Sequence, residues 1–349
     1  MKWFGAWMIL LGMLWLAACS PSPEVPASAP QTSQDSLEVP TSSQKLYAKK
    51  EGVTHGSITI AVDQALKPLI DAALMTFMGV HRDAHIRPIY LPGEEAIEYM
   101  LTHDSVRLVI STRQLTDAET AVLRERLITP DYATVAHEGV AVLTHPDNPV
   151  RRLTMAQLRA ILTGEVTRWQ ELTAEAPAGN IRLVFDHPQS STLRYLRDSL
   201  LQGMPLKRAD VFAQRSTPEL LAYVADNPQA MGLGSWTWLS DIDDPQVDSL
   251  RQKLGIVALE RPAAAPNCVD SGRFFGPYQG SLAQGCYPLR RSVITIRRES
   301  VYGLGAGFIA YLVGPKGQRI IHKAGLAAVK GIPREVRLPE RLRPSAPSP

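Results

Sequence analysis

The chain has little cysteine and little net charge. Its 349 residues include three cysteines, and 37 basic side chains face 34 acidic ones, for a net charge of +3. A zinc site would need more ligands at fixed spacing than this sequence offers. The small net charge does not indicate binding to nucleic acid or to a broad anionic surface, so any bound anion must be held by local contacts. We predict no metal site and no cofactor.

The apolar run at the N-terminus is short for a membrane-spanning helix. It extends from Trp3 to Ala18, directly after Lys2, and is typical of a signal peptide. It ends in Leu16-Ala17-Ala18-Cys19, which resembles the bacterial lipobox. We therefore predict a signal peptide over residues 1–18 and a lipidated Cys19 that anchors the mature chain to a membrane. An uncleaved anchor with an incidental cysteine is the alternative.

Two further segments lack the composition of a folded domain. Residues 20–45 contain five prolines and seven serines and almost no large apolar side chain, so they cannot bury enough surface to offset the entropy of folding. We predict a disordered tether over residues 19–50. The Pro-rich basic residues 333–349 predict a disordered tail.

The remaining two cysteines, Cys268 and Cys286, lie in a Gly/Pro-rich segment. An even pair of cysteines in an exported protein indicates a disulfide. Two separate buried thiols are the alternative.

Strands alternate with helices along the rest of the chain, whose length fits about two domains. Apolar or alternating runs at Ser57–Val62, Val106–Ile110 and Ile181–Phe185 predict strands, and each is followed by a helical pattern. This order predicts an α/β fold with largely parallel sheets. In such sheets, ligands bind outside the carboxyl ends of the strands.

The segment Gly139–Leu172 predicts a strand, a turn and a short helix. Thr154 and Gln157 form a capping box, so the helix begins near Met155, and Gly164 ends it. Trp169 is expected to pack behind the helix.

Three stretches of this sequence carry a resemblance to a known family; they read TMAQLRAILTGEVTRWQEL, YPLRRSVITI and FIAYLVGPKGQRIIHKAGLAAV. In wording they resemble the PstS-like phosphate-binding proteins of ABC transporters, and the resemblance extends over about Gly56 to Gly331. It implies a two-lobed type II periplasmic binding protein fold, in which each lobe is a central mixed sheet flanked by helices and the ligand lies in the interlobe cleft. We expect residues 56–135 and 290–332 in lobe 1 and residues 136–289 in lobe 2.

Three loops between a strand end and a helix start carry the candidate binding residues. Helix N-termini offer free amides and the positive end of the helix dipole to an oxyanion. By resemblance, these loops match the three phosphate-binding loops of the family, although each could instead be a helix cap. The candidates are Asp63, Gln64 and Ala65 in the first loop, Ser111, Thr112 and Arg113 in the second, and Ser190, Ser191 and Thr192 in the third.

The third loop departs from the family pattern. In the family, this loop usually reads Ser-Gly-Thr and is preceded by an arginine and an aspartate. In this chain, Asp186 and Pro188 precede the serines. The arginine must then come from elsewhere, and Arg113 is our candidate because its planar fork suits two-point contact with an oxyanion. Pairing of Arg113 with Glu119 is the alternative.

Either of two aspartates could accept the proton of bound hydrogen phosphate, and such an acceptor would repel sulfate. We favour Asp186 over Asp63 because Asp186 lies closest to the serine-rich loop. For both, a helix cap is the alternative.

The resemblance implies a lipid-anchored monomer that faces the periplasm, captures inorganic phosphate and presents it to the permease of an ABC transporter, without catalysis. The choice between inner and outer membrane stays open. A sensor, a scavenger or a binder of another oxyanion on the same fold is the alternative. A serine hydrolase using Ser190 or Ser191 with His187 and Asp186 is disfavoured, because catalytic triads usually converge from distant parts of a chain.

Overall fold

The structure is a computed structural model that describes residues 51–330 except 205, 207–210, 262, 264, 266–267, 269–272 and 300–301. The predicted signal peptide, lipidated Cys19, tether and tail lie outside the described residues. Within those residues, no helix combines the length and the apolar character that crossing a bilayer requires.

Twelve strands lie in the described part of the chain. They are β1 (Gly56–Asp63), β2 (Ala84–Leu91), β3 (Val106–Ser111), β4 (Asp131–Thr144), β5 (Arg152–Leu153), β6 (Arg182–Phe185), β7 (Val211–Ala213), β8 (Ala230–Ser235), β9 (Gly255–Glu260), β10 (Phe274–Phe275), β11 (Arg290–Arg297) and β12 (Ala327–Ala328).

Ten α-helices connect the strands of this part. They are α1 (Lys67–Val80), α2 (Gly93–Thr102), α3 (Asp117–Glu125), α4 (Met155–Thr163), α5 (Ser191–Ser199), α6 (Thr217–Asp226), α7 (Pro245–Gln252), α8 (Gln279–Gln284), α9 (Leu304–Val313) and α10 (Pro315–Lys323). Single 3-10 turns lie at Gln64–Leu66, Trp169–Glu171 and Trp236–Trp238.

The strands form a mixed sheet in the order β2-β1-β3-β11-β4-β8-β6-β7. Strand β1 runs parallel to β2 and β3, and β6 runs parallel to β7 and β8. Strands β11 and β4 lie between these two parallel groups, and they pair with their neighbours in antiparallel orientation. The prediction of largely parallel sheets therefore holds for the two outer groups, whereas the centre is antiparallel.

Strand β4 exchanges partners along its length. Residues Asp131 to Gly139 pair with β11, and residues Val140 to Thr144 pair with β8, Val142 to Thr144 also with β9. We call the group on the first side, β1–β3 with β11 and β12, lobe 1, and the group on the other side, β5–β10, lobe 2. The exchange falls close to residues 135 and 136, where the sequence predicts the first boundary between the lobes, and the residue boundaries of the lobes stay predictions.

The alternating side chains of β1 bury both faces of the lobe 1 sheet. Ile60 and Val62 belong to the core that contains helix α1, whereas Ala61 packs in a second cluster with Ile97 and Met100 of helix α2. This alternation follows from the two-residue period of a strand. The sheet is thus covered on both sides, which leaves its carboxyl end as the open edge for a ligand.

Local signals in the sequence predict both ends of helix α4 correctly. The capping box of Thr154 and Gln157 is present, and Gly164 ends helix α4 in the left-handed conformation that glycine tolerates best (φ 80°). Trp169 is fully buried, as expected. A disulfide joins Cys268 to Cys286, with Cα atoms 5.6 Å apart.

Candidate functional site

The predicted loops lie at the carboxyl ends of strands from both lobes. Asp63 is the last residue of β1 and Ser111 the last of β3, and Asp186 directly follows β6. All three side chains are buried. Burial of polar groups at strand ends is costly unless they are paired, so their contacts indicate what this region is built to do.

The third loop forms the N-terminal turn of helix α5. Ser190 is the N-cap, and its Oγ accepts a hydrogen bond from the Leu193 amide at 3.1 Å. Ser191 and Thr192 occupy the first two helical positions and are buried. The Oγ1 atom of Thr192 has no hydrogen-bond partner within the described residues. The turn therefore presents free amides and a spare hydroxyl, which are the groups that bind an oxyanion.

A second helix N-terminus meets this turn from lobe 1. Helix α2 begins at Gly93, and its N-cap, Pro92, makes no side-chain cap. A Cβ atom on Gly93 would lie 2.6 Å from the Cβ of Ser191 and 3.0 Å from Oδ2 of Asp63. Only glycine allows this approach, so the N-termini of α2 and α5 and the end of β1 converge on one point. The sequence interpretation missed α2 and Gly93.

Asp63 has a perturbed carboxyl group at this point. Its Oδ1 accepts a hydrogen bond from the Ala65 amide at 3.0 Å. The amide of Ala65, a candidate phosphate donor, is therefore already bound to Asp63. Burial and, to a smaller extent, nearby Asp186 raise the pKa of Asp63 to about 6, against the opposing effects of Arg291, Ser191 and Ala65. The side-chain nitrogen of the neighbouring Gln64 is buried without a partner in the described part of the chain.

Asp186 is also completely buried. Thr217 donates a hydrogen bond to its Oδ2 at 3.1 Å. Burial raises the pKa of Asp186, and contacts with Ser190, Arg291 and Thr217 partly offset this effect. Asp63 and Asp186 are thus two carboxyl groups from opposite lobes in one electrostatic environment.

Arg291, on β11, is the arginine whose charge acts on both aspartates. Its Nε donates to Oε1 of Glu138 at 2.6 Å, and its Nη1 donates to Oγ of Ser191 at 3.1 Å. Glu138 Oε2 accepts further bonds from Ser235 at 2.6 Å and Thr237 at 3.0 Å. The side chains of Arg291 and Glu138 are 1% and 0% exposed. Neither residue was among the sequence candidates.

Arg113, the predicted arginine, has carboxylate partners of its own. Its nitrogens donate to Glu94 at 2.8 and 3.1 Å and to Glu119 at 2.7 and 2.8 Å. The pairing with Glu119 that formed the alternative interpretation is therefore present, with a second acid added. Contact of Arg113 with a bound anion stays a prediction.

Glu94 also reaches across the cleft. It forms an ion pair with Arg194 of helix α5, so one carboxylate of lobe 1 joins an arginine of each lobe. Glu94, Arg113 and Arg194 line a cavity of about 200 Å³ together with Thr112 and Ser191. Ser111 is buried, and its Oγ accepts a long 3.4 Å hydrogen bond from the Arg113 amide.

Comparison with known proteins identifies the family. A model described as the PBP superfamily domain matches residues 30–316, which is most of the chain. The chain belongs to the PBP superfamily. Two curated relatives of this superfamily member are phosphate-binding proteins named PstS. The one from Bacillus subtilis (strain 168) is 28% identical over 196 residues, covering 56% of this chain and 62% of the relative. The one from Staphylococcus saprophyticus is 22% identical over 201 residues, covering 57% and 56%.

Solved structures of other proteins have a fold similar to that of this PBP superfamily member. A Clostridium perfringens protein with bound phosphate has a TM-score of 0.62 and 20% identity, covering 79% of this chain and all of that one. An ABC-type phosphate transport receptor from Vibrio cholerae has a TM-score of 0.58 and 18% identity, covering 78% and 100%. The predicted resemblance and the type II two-lobed fold are thereby confirmed. The chain spans less than two thirds of the length of the curated relatives.

Proposed function

We propose that this chain is a substrate-binding protein that captures inorganic phosphate outside the cytoplasm and delivers it to the permease of an ABC transporter. The observation that carries the proposal is the convergence of two helix N-termini from opposite lobes at Ser191 and Gly93. Such termini favour a compact oxyanion. The phosphate-binding names of the relatives support the choice of phosphate.

The candidate residues divide the binding between donors and acceptors. Amides of the first turn of α5 and the hydroxyls of Thr192 and Thr112 would donate to phosphate oxygens, and Asp63 or Asp186 would accept a proton that the ligand carries. A fully deprotonated anion offers no such proton, so it would face an uncompensated carboxylate. Closure of the two lobes about β4 would complete this shell.

Location and partners extend the proposal. A lipid on Cys19 would hold the chain at a membrane, and residues 19–50 would let it reach a permease, with the binding domain acting as a monomer. The binding protein itself would perform no reaction. Within the candidate loop, Ser190 Oγ and His187 Nδ1 accept bonds from the Leu193 and Gln189 amides, which are cap and turn contacts rather than those of a catalytic pair.

A different oxyanion is the second candidate. It is favoured by the altered third loop, in which Asp186 and Pro188 precede the serines in place of the arginine and aspartate that the family resemblance implies. A sensor or scavenger with the same ligand would differ only in its partner.

Native mass spectrometry of the purified mature chain, followed by calorimetric titration, tests the proposal. We expect a retained mass equal to phosphate and competition by phosphate but not by sulfate. A chain that binds no phosphate would contradict it, and a chain that binds another tetrahedral oxyanion instead would support the second candidate.

A further inference from the structure

The candidate site contains three buried carboxyl groups, from Asp63, Glu138 and Asp186, and one buried guanidinium group. An anion bound here needs a positive partner, because a low-dielectric interior strengthens repulsion between like charges. The arginines around the adjacent cavity are already paired, Arg113 with two glutamates and Arg194 with Glu94 and Asp198. Arg291 is paired as well, with Glu138, but it also reaches Ser191 and acts electrostatically on both aspartates, so it is the cation to consider.

We infer that Arg291 is the residue that binds the oxyanion directly and sets the affinity of this site; the inference rests on the proposed function. Arg291 has five N–H donors. Its contacts with Glu138 and Ser191 within the described residues leave one N–H on each terminal nitrogen. Two parallel donors on a planar fork match two oxygens of a tetrahedral oxyanion.

The surroundings of Arg291 hold this fork in place. Glu138 binds the Nε side and itself accepts hydrogen bonds from Ser235 and Thr237, and these contacts orient the guanidinium toward Ser191. Burial alone would lower the pKa of Arg291, but Glu138, Asp63 and Asp186 raise it above its ordinary value, which keeps the side chain charged. Glu138 is thus a positioning residue for Arg291.

A structural ion pair alone explains this arrangement less well. Buried ion pairs contribute little net stability, because desolvation of both charges offsets their attraction. An arginine that served only to neutralise Glu138 would not need to reach Ser191, at the first position of helix α5 in the opposite lobe. The contact with Ser191 places the fork at the convergence point of the two helix N-termini.

Two variants test this role by calorimetric titration of the mature chain with inorganic phosphate. Arg291→Lys keeps the charge and loses the fork, and we expect affinity to fall by about 10-fold or more. The double variant Arg291→Gln with Glu138→Gln removes both charges, so it leaves no unpaired buried glutamate, and we expect a loss on the order of 100-fold. The matched control is Arg290→Gln, the neighbouring half-buried arginine on the same strand.

Thermal unfolding with and without phosphate separates binding from folding. We expect the phosphate-induced rise in Tm to persist in Arg290→Gln and to shrink in both Arg291 variants, whatever their Tm without ligand. A folded Arg291 variant with parental affinity and parental Tm rise would overturn the assignment while leaving the proposed function intact. A parent chain that binds no phosphate would contradict the proposed function, and this assignment with it.

Discussion

Asp63 and Asp186 are the two acids that the sequence indicated as acceptors of the ligand's proton, and both are buried in the structure. Their raised pKa values have the same main cause, removal from water. Each also retains a protein donor, Ala65 for Asp63 and Thr217 for Asp186. A helix or turn cap and a ligand contact are therefore compatible roles for one carboxyl group, because its two oxygens can serve different partners.

Replacement of Asp186 by asparagine should weaken discrimination between phosphate and sulfate. The amide can donate a hydrogen bond to sulfate, whereas the carboxylate only accepts, so the penalty against a fully deprotonated anion is relaxed. We expect sulfate affinity to rise and phosphate affinity to change little, measured by titration at pH 7 to 8. Asp147→Asn, at an exposed turn, is the control. A variant that rejects sulfate as strongly as the parent would transfer the role to Asp63 or end the hypothesis.

The titration of Asp63 should be visible in the pH dependence of stability. Its pKa is raised from 3.8 to about 6, so the folded chain binds more protons than the unfolded chain between these values. The free energy of unfolding therefore falls as the pH rises through this window. Asp63→Asn should remove this component, a difference of roughly 2 to 3 kcal/mol in urea denaturation between about pH 4 and pH 7. If the free energy of unfolding depends on pH equally in the parent and in Asp63→Asn, the raised pKa of Asp63 is contradicted.

Local patterns in the sequence located the serine loop and the aspartates, because each adjoins a helix start whose signal spans only a few residues. Arg291 and Glu138 were missed because their roles depend on pairing between strands far apart in the chain. One signal was available. Charged residues inside otherwise apolar strands are rarely buried without a partner, and Glu138 lies between the apolar pairs Val135-Ala136 and Val140-Ala141 of such a strand.

Helix α2 was missed although its helical spacing is readable. Ala96, Ile97, Met100 and Leu101 recur on one face and are buried, and Glu94 and Glu95 provide an acidic first turn. Pro92 and Gly93 suggest a turn when they are taken alone. Their function becomes clear only when helix α5 of the other lobe stands against them.

Gly93→Ala should separate the two helix N-termini. The new methyl group would lie 2.6 Å from the Cβ of Ser191, and this atom is close to the backbone and cannot swing aside. We expect phosphate affinity to fall by about 10-fold or more, by calorimetry, with each lobe still folded. Gly79→Ala in helix α1, where a methyl group meets nothing within 4 Å, is the control and should stabilise by about 0.5–1 kcal/mol. Parental affinity in Gly93→Ala would show that the approach is unnecessary.

The disulfide should contribute to the stability of the described domain as a unit. It links residues 18 apart in sequence, and closure of such a loop typically stabilises by roughly 3 kcal/mol. Replacing Cys268 and Cys286 together by serine should lower the free energy of unfolding by about that amount, and a reductant should then have no further effect. Two free thiols in the natively exported parent would contradict the pairing.

The ion pair between Glu94 and Arg194 has a kinetic consequence. Opening of the cleft would part these charges, so the pair adds to the barrier that a bound anion must cross to leave. Both side chains are partly exposed, at 29% and 23%, and salt screens such pairs. We expect dissociation, followed by stopped flow, to accelerate by up to about 5-fold between low and molar salt, and this sensitivity to fall in Arg194→Gln. Ionic strength would then set how long the protein retains a bound anion.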